Sequence, residues 1–480
     1  MKEPALSYID GHWVSSETVA ESINPGTGDV LGRYASARQP EVEKAIRSAR
    51  LAFDKTDWAH KPRLRASVLL DFASRMEAVK EDLAQALSAE NGKPITGARH
   101  EVSAGISEFR YYAGLTRAIF GRVSEVDAGL FAMLAREPMG VAGIIVPWNA
   151  PVTLLVRSLA PALAAGCTAV VKAAPQTALV NHQLFQLMAG VESLPPGVLN
   201  MFTELGSDGA QALVSSAEVD MISYTGSTRT GKMIMEAAAG TLKRLSLELG
   251  GSAPVLVFRD ADIKKMAPDI ARAGTIHAGQ MCTAASRIIV HQSMVQQVQE
   301  ELIAALNRIE IGQADKPQTQ LGPMIDIPNR DRIRALVSEA SEEDEVLLRG
   351  EIPDGEPAGG AFIRPSLVAV KTPASSMLQD EVFGPALSID TFTDEEEAIA
   401  KANATRYGLA ASVWTADLAR AQRAAHKIRA GSVWINAHNR LMAEAETGGF
   451  KESGIGRLHG VEGLESFLQT KHISWVLEPE

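Results

Sequence analysis

From residue 141 onward, short runs rich in Val, Ile and Leu alternate with longer segments whose apolar residues recur at helical spacing, the pattern of a parallel sheet covered by helices. VAGIIV (141–146) predicts a strand, PVTLLVRSLAPALAAG a helix and CTAVVK (167–172) the next strand, together one βαβ unit. LNMF, DMISYT, LKRLSLEL and APVLVF predict further strands, separated by TALVNHQLFQLMAGV and STRTGKMIMEAAAG as helices. After residue 260 the alternation restarts, with SRIIVH, ALSIDTF, ASVWT and SVWIN as strands and VQQVQEELIAALNRI, EEEAIAKANA and DLARAQRAAHKI as helices. The middle of the chain therefore reads as doubly wound, and the stretch beyond residue 260 as a second α/β domain. No internal repeat interrupts this pattern, and EIPDGEPAGGAF (351–362) is the clearest Gly/Pro-rich loop.

Length and composition agree. A chain of 480 residues exceeds the size at which one core stops growing, and 46% hydrophobic with 22% charged residues excludes wholesale disorder. The longest apolar region, 141–171, is broken by Pro147, Asn149, Arg157 and Pro161, so it reads as buried core and no membrane partner is expected. A formal net charge of −11 without a basic block makes nucleic acid a poor partner. Two cysteines, Cys167 and Cys282, build neither a disulfide framework nor a zinc site, and no metal is expected. The N-terminus lacks a basic start and apolar run, so the cytoplasm is the expected compartment.

Several stretches carry chemistry. SYTGSTRTGKM (223–233) follows a strand and opens a helix, where backbone N–H groups and the positive helix end suit a phosphate. It falls short of a P-loop because Met233 stands where a Ser or Thr would bind magnesium; its glycines equally suit plain helix–strand packing. In PWNAP (147–151), at a strand's carboxyl end, Asn149 reads as an amide donor or as the cap of the following helix. Lys172 emerges at the same edge, as a ligand group or a solvated strand end. In LSLELGGSAP, Glu248 ends an apolar run, which suits a general base as well as a cap or ion pair. GTIHAGQMCTAAS holds Cys282, a nucleophile or a small apolar side chain.

Taken together, PWN (147–149), VVKAAPQT, YTGSTRTG (224–231), LELGG (247–251), GQMC (279–282), EVFGP (381–385), NATRYGLAA (403–411) and GGFKESGIGR (448–457) resemble, in order and over nearly the whole chain, the NAD(P)-dependent aldehyde dehydrogenase superfamily. The resemblance implies a Rossmann-type cofactor domain (1–119 and 141–250), an α/β catalytic domain (251–436), a small β oligomerisation element (120–140 and 465–480) and a return segment lining the substrate funnel (437–464). It implies Cys282 as nucleophile, Glu248 as base for thioester hydrolysis and Asn149, with the Cys282 backbone N–H, as oxyanion donors. Ser227 and the backbone after Gly226, with Gly231, would face the cofactor pyrophosphate, Lys172 the adenosine ribose and Glu381 the nicotinamide ribose, while Trp148 and Phe383 line the nicotinamide. The cofactor is NAD or NADP, the partner a small-molecule aldehyde, and the assembly a homodimer or homotetramer. Cys167 matches no catalytic element.

The chain also departs from the family pattern. Pro175 stands where NAD-preferring members carry Glu, three residues after the ribose-binding lysine, which leaves the cofactor preference open. Leu458 replaces a Glu proposed to relay protons. The funnel reads as polar: Arg157, two turns beyond Asn149 on the predicted helix, is joined by His438, Glu444 and Thr447. An arginine at this position occurs in relatives that oxidise succinic semialdehyde or salicylaldehyde-type substrates, and it offers a forked donor to oxygen; alternatively it pairs with Glu444 or another acid. Ile276 replaces the second arginine associated with semialdehydes, so an aromatic or other polar aldehyde is expected ahead of succinic semialdehyde, and betaine aldehyde last. An acylating enzyme using coenzyme A and an inactive binding or structural relative are the competing readings.

Overall fold

The computed structural model describes residues 3–355 and 359–477. Of the Gly/Pro-rich loop 351–362, residues 356–358 lie outside the described part, as do 478–480 of the expected C-terminal strand segment.

The larger sheet orders its strands Gly454–Ile455, Arg244–Glu248, Met221–Thr225, Val141–Ile145, Thr168–Ala173, Leu199–Thr203, Ser7–Ile9 and His12–Val14. The five central strands are parallel and almost wholly buried, which explains their continuous apolar runs. Chain order runs outward from Val141–Ile145 in one direction and then resumes on its other side at Met221–Thr225. The reversal creates a crevice at the carboxyl ends of these two strands, the place where open α/β sheets take ligands. PWN leaves one of them and YTGSTRTG the other.

A second sheet, ordered Glu345–Leu348, Ser366–Ala369, Ala386–Phe392, Ala285–His291, Ala253–Val257, Ala410–Trp414 and Ser432–Ile435, is parallel except at Glu345–Leu348. APVLVF belongs here, at the centre of the second sheet, so the restart comes before residue 260. The Gly250–Gly251 turn has already carried the chain across. LKRLSLEL likewise shortens to Arg244–Glu248, because Leu242 takes a left-handed φ of 51° and turns the chain into the strand. Leu468–Val476, Leu130–Pro138 and Arg122–Asp127 form a separate antiparallel sheet. The strand Arg122–Asp127 is exposed along its whole length, with Val123 and Val126 in the open.

The first 119 residues, whose elements the apolar pattern left unassigned, supply four helices, Gln39–Lys55, Pro62–Ala78, Lys80–Asn91 and Ile95–Leu115. The last packs along Pro151–Ala165, a helix buried on nearly every side. No described helix is long and apolar enough to cross a membrane.

Candidate active site

Asn149 does not cap the helix that follows it. That position falls to Ala150, with Pro151 opening Pro151–Ala165, and the Asn149 side-chain amide instead donates to the Gln280 carbonyl at 2.9 Å. GQMC is reached through an unusual backbone: His277, Ala278 and Gly279 all lie in the left-handed region, at φ of 51°, 55° and 71°. For the two non-glycine residues this costs about 1–3 kcal/mol each. Gly279 itself passes so close to Gly384 that any side chain would strike its carbonyl.

The LELGG turn closes on the same loop. A Cβ on Gly251 would run into the carbonyl oxygen of Cys282, and one on Gly250 into the Glu381 carboxylate. The Gly251 N–H donates to Glu381 Oε1 at 3.2 Å. Glu248 is buried, and burial pushes its carboxyl up to about 7 against the pull of Arg157 and Arg457; its Oε1 is buried without a partner. Burial likewise pushes Cys282 up to about 12, opposed by the Arg157 charge and reinforced by Glu381 and Glu248.

The Arg157 charge therefore reaches both Glu248 and Cys282. It is 5% exposed, donates to Thr225 Oγ1 at 3.1 Å and keeps a buried, unpartnered Nε. Among the described residues it has no ion pair, and Glu444 is exposed whereas this guanidinium is buried. His438 has both ring nitrogens engaged, Nε2 with the Thr283 carbonyl at 2.8 Å and Nδ1 with Ser412 Oγ at 2.9 Å; burial pushes it down to about 4. A neutral ring so held shapes a wall rather than offering a free donor. The Thr447 hydroxyl is buried without a partner, its backbone bridged to Leu458.

At the YTGSTRTG turn, Ser227 caps the helix Thr228–Ala238, its oxygen accepting from the Thr230 N–H at 3.3 Å. A side chain on Gly226 would strike the Tyr224 hydroxyl, and one on Gly231 would strike Leu249. The first glycine thus permits a tight turn and the second close packing of helix on strand. Trp148 and Phe383 meet edge to face with ring centres 5.8 Å apart. Phe383 is held at φ 47° by a loop whose Val382 and Phe383 carbonyls accept from Arg332. Glu381 is pushed up to about 7 by burial. Lys172 is half-buried, its amine pushed down by burial and steadied by the Glu204 charge.

Four residues that motif reasoning passed over also bear on this site: Asn91, Lys93, Glu101 and Arg332. Asn91 Nδ2 donates to the Trp148 carbonyl at 2.7 Å, and Lys93 Nζ to the Asn149 carbonyl at 3.1 Å. Only Glu101 left a signal in the sequence, as a carboxylate on the apolar stripe Ala98, Val102, Gly105 of its helix. Among the described residues no group of three or more His, Cys, Asp or Glu is placed to hold a metal ion.

The model of the aldehyde dehydrogenase family matches residues 13–473. The chain belongs to the aldehyde dehydrogenase family. It is 37% identical over 474 residues to the betaine aldehyde dehydrogenase of Bacillus subtilis, covering 97% of this chain and 96% of that one. With a peroxisomal aminoaldehyde dehydrogenase of Pisum sativum it shares 34% identity, over 97% of this chain and 95% of the relative. Among solved structures, the betaine aldehyde dehydrogenase of Staphylococcus aureus in complex with NAD+ superimposes with a TM-score of 0.96 at 34% identity, covering 99% of this chain and 95% of that one. This aldehyde dehydrogenase is accordingly an oxidoreductase acting on aldehydes.

Proposed function

We propose that the protein oxidises an aldehyde to the carboxylic acid with NAD+ or NADP+, with Cys282 as nucleophile, Asn149 and the Cys282 backbone N–H as oxyanion donors, and Glu248 as the base of hydrolysis. The observation that carries this reading is the convergence on one short loop: the LELGG turn lies against the Cys282 carbonyl while the Asn149 amide lies on the carbonyl of Gln280. The Cys282 thiol gives up its proton through water to solvent as its sulfur attacks the aldehyde carbon; the C–S bond forms while the carbonyl π pair moves onto oxygen, so the thiohemiacetal oxygen gathers negative charge. A donor held in place beforehand stabilises that charge, and loss of one costs about 3 kcal/mol. Bound nicotinamide supplies the hydride acceptor. The remaining thioester is hydrolysed by a water that yields its proton to Glu248, whose carboxyl near 7 releases it readily to solvent. The same carboxyl favours hydrolysis over transfer to coenzyme A, and retention of all three groups favours an enzyme over an inactive relative.

The cofactor fits the residues at the sheet's reversal. The capped helix Thr228–Ala238 with Gly226, Ser227 and Gly231 suits the pyrophosphate, Lys172 the adenosine ribose, Glu381 the nicotinamide ribose, and the Trp148–Phe383 pair the ring. NADP+ is accepted beside NAD+, because Pro175 offers no carboxylate to repel a 2′-phosphate. A homodimer or homotetramer suits the apolar Val123, Val126 and Val476 left open on the three-stranded sheet. Two free cysteines suit the cytoplasm.

The substrate we favour is an aromatic or other polar aldehyde bearing an oxygen that Arg157 can hold, since the unpartnered Nε is a donor still to be used. His438 and Thr447 complete the proposed wall. The relatives' names favour a second reading, betaine aldehyde or an aminoaldehyde, but the buried Arg157 cation opposes a quaternary ammonium. Succinic semialdehyde is less favoured given Ile276. Kinetics of benzaldehyde, salicylaldehyde, succinic semialdehyde and betaine aldehyde, with each cofactor, for wild type and Arg157→Ala, test this. We expect salicylaldehyde to lead and to lose most in the variant. Betaine aldehyde as best substrate, or an unchanged ranking, would refute the Arg157 role, and an NAD+ preference beyond about 1,000-fold would refute the Pro175 argument.

A further inference from the structure

Lys93 and Glu101 form an ion pair whose side chains are 0% and 5% exposed. Such a pair seldom stabilises a fold more than apolar side chains of the same volume, because both charges must be stripped of water. Its geometry points to another use. One Glu101 oxygen accepts the N–H groups of Val152 and Thr153, at 2.9 and 3.3 Å, and so holds the start of the helix Pro151–Ala165. The other oxygen holds the Lys93 ammonium, which also donates to the Asn149 carbonyl at 3.1 Å. Asn91, two residues before Lys93, fixes the carbonyl of Trp148. One segment, 91–101, thus grips the backbone immediately before, at and after Asn149, leaving the Asn149 side chain only its own torsions, and these are set by the bond to Gln280.

The pair reaches the other half of the site as well. The Lys93 charge bears on half-buried His277, in the left-handed run leading to Cys282, and a Cβ added at Gly97 would meet both side chains, so the two lie close together. A single buried cation thus bonds the segment that holds Asn149 and lies near the run that leads to Cys282.

We propose that Lys93, held by Glu101, is a positioning residue for the oxyanion site, fixing the Asn149 peptide so that its side-chain amide meets the developing oxyanion. The inference rests on the oxyanion role of Asn149 proposed above, and the test separates the two. In rapid-mixing experiments the burst of reduced cofactor is compared for wild type, Asn149→Ala, Lys93→Met and the double variant. NAD+ affinity is read from fluorescence and folding from circular dichroism. Asn149→Ala is expected to slow the burst about 100-fold, and Lys93→Met about 10- to 100-fold, with aldehyde KM and NAD+ affinity changed by no more than about threefold. The double variant should be no slower than Asn149→Ala by more than about threefold, because the lysine acts through the asparagine. Losses that multiply in the double variant, or a Lys93→Met burst like wild type, overturn the positioning role. An unaffected burst in Asn149→Ala overturns the oxyanion reading, and the positioning role falls with it. Should Lys93→Met not fold, Glu101→Gln enters the same cycle with the same expectations, since it keeps an acceptor for Val152 while releasing the ammonium.

Discussion

Cys167 and Cys282 share a side chain and a pushed-up thiol, both to about 12, both chiefly through burial. Everything else about them differs. Cys167 is 0% exposed, its Sγ lies 3.5 Å from the Phe467 carbonyl, and its own carbonyl is taken by the indole of Trp58 at 2.9 Å. The neighbouring cation, Arg65, spends its guanidinium on the carbonyls of Trp58, Ala59 and Ala164. Cys282 is only half-buried, stands on a strained loop, and faces a guanidinium with an unused nitrogen. Desolvation therefore does not separate the thiol proposed as nucleophile from the one proposed as structural. Access, an uncommitted cation and a nearby carboxylate do.

The sharpest test of that contrast is to delete each sulfur in turn. Cys282→Ala should lower aldehyde-dependent cofactor reduction by at least about 10,000-fold while NAD+ still binds; appreciable turnover in this variant would remove the distinction altogether. The base comes next. Glu248→Gln should release one burst of reduced cofactor and then stall, with steady-state turnover down about 100-fold. In wild type, hydrolysis should rise with pH and level off above about 7, because the raised carboxyl is protonated, and unable to take a proton, below that value. A profile in Glu248→Gln identical to wild type would move the base elsewhere. The smallest effect belongs to Cys167→Ala. Activity should stay within about twofold of wild type, and melting should report a modest loss of about 1 kcal/mol from the removed buried sulfur. A large kinetic defect there, with melting unchanged, would show that burial had hidden a role.

The residues that carried the family resemblance were legible because their chemistry is local: glycines beside Glu248, a glutamine two positions before Cys282, a capped helix after a strand. The alternating runs likewise located most core strands from 141 onward, but not the short buried Ser366–Ala369, whose four residues carry too little pattern. Less was legible where a role depends on a partner far along the chain. Nothing in or near NGKP at 91–94 announces that Lys93 ends against the carbonyl of Asn149. The helical spacing put Arg157 two turns beyond Asn149, but its hydroxyl partner, Thr225, comes from a strand it shares no local pattern with. Nothing in the sequence around His438 shows that Ser412 and the Thr283 carbonyl occupy its two nitrogens. APVLVF was a strand by its own composition, yet which sheet received it was decided by pairing with Ala285–His291 and Ala410–Trp414.

The short strand Gly454–Ile455 lies antiparallel to Arg244–Glu248, on the far edge of the first sheet. A segment late in this sequence thus finishes a sheet whose other edge, His12–Val14, lies early in it. During synthesis the strand ending in Glu248 must wait, one side unpaired, while the whole second sheet is made. Such late closure slows folding and leaves an open edge for other chains to pair with in the meantime.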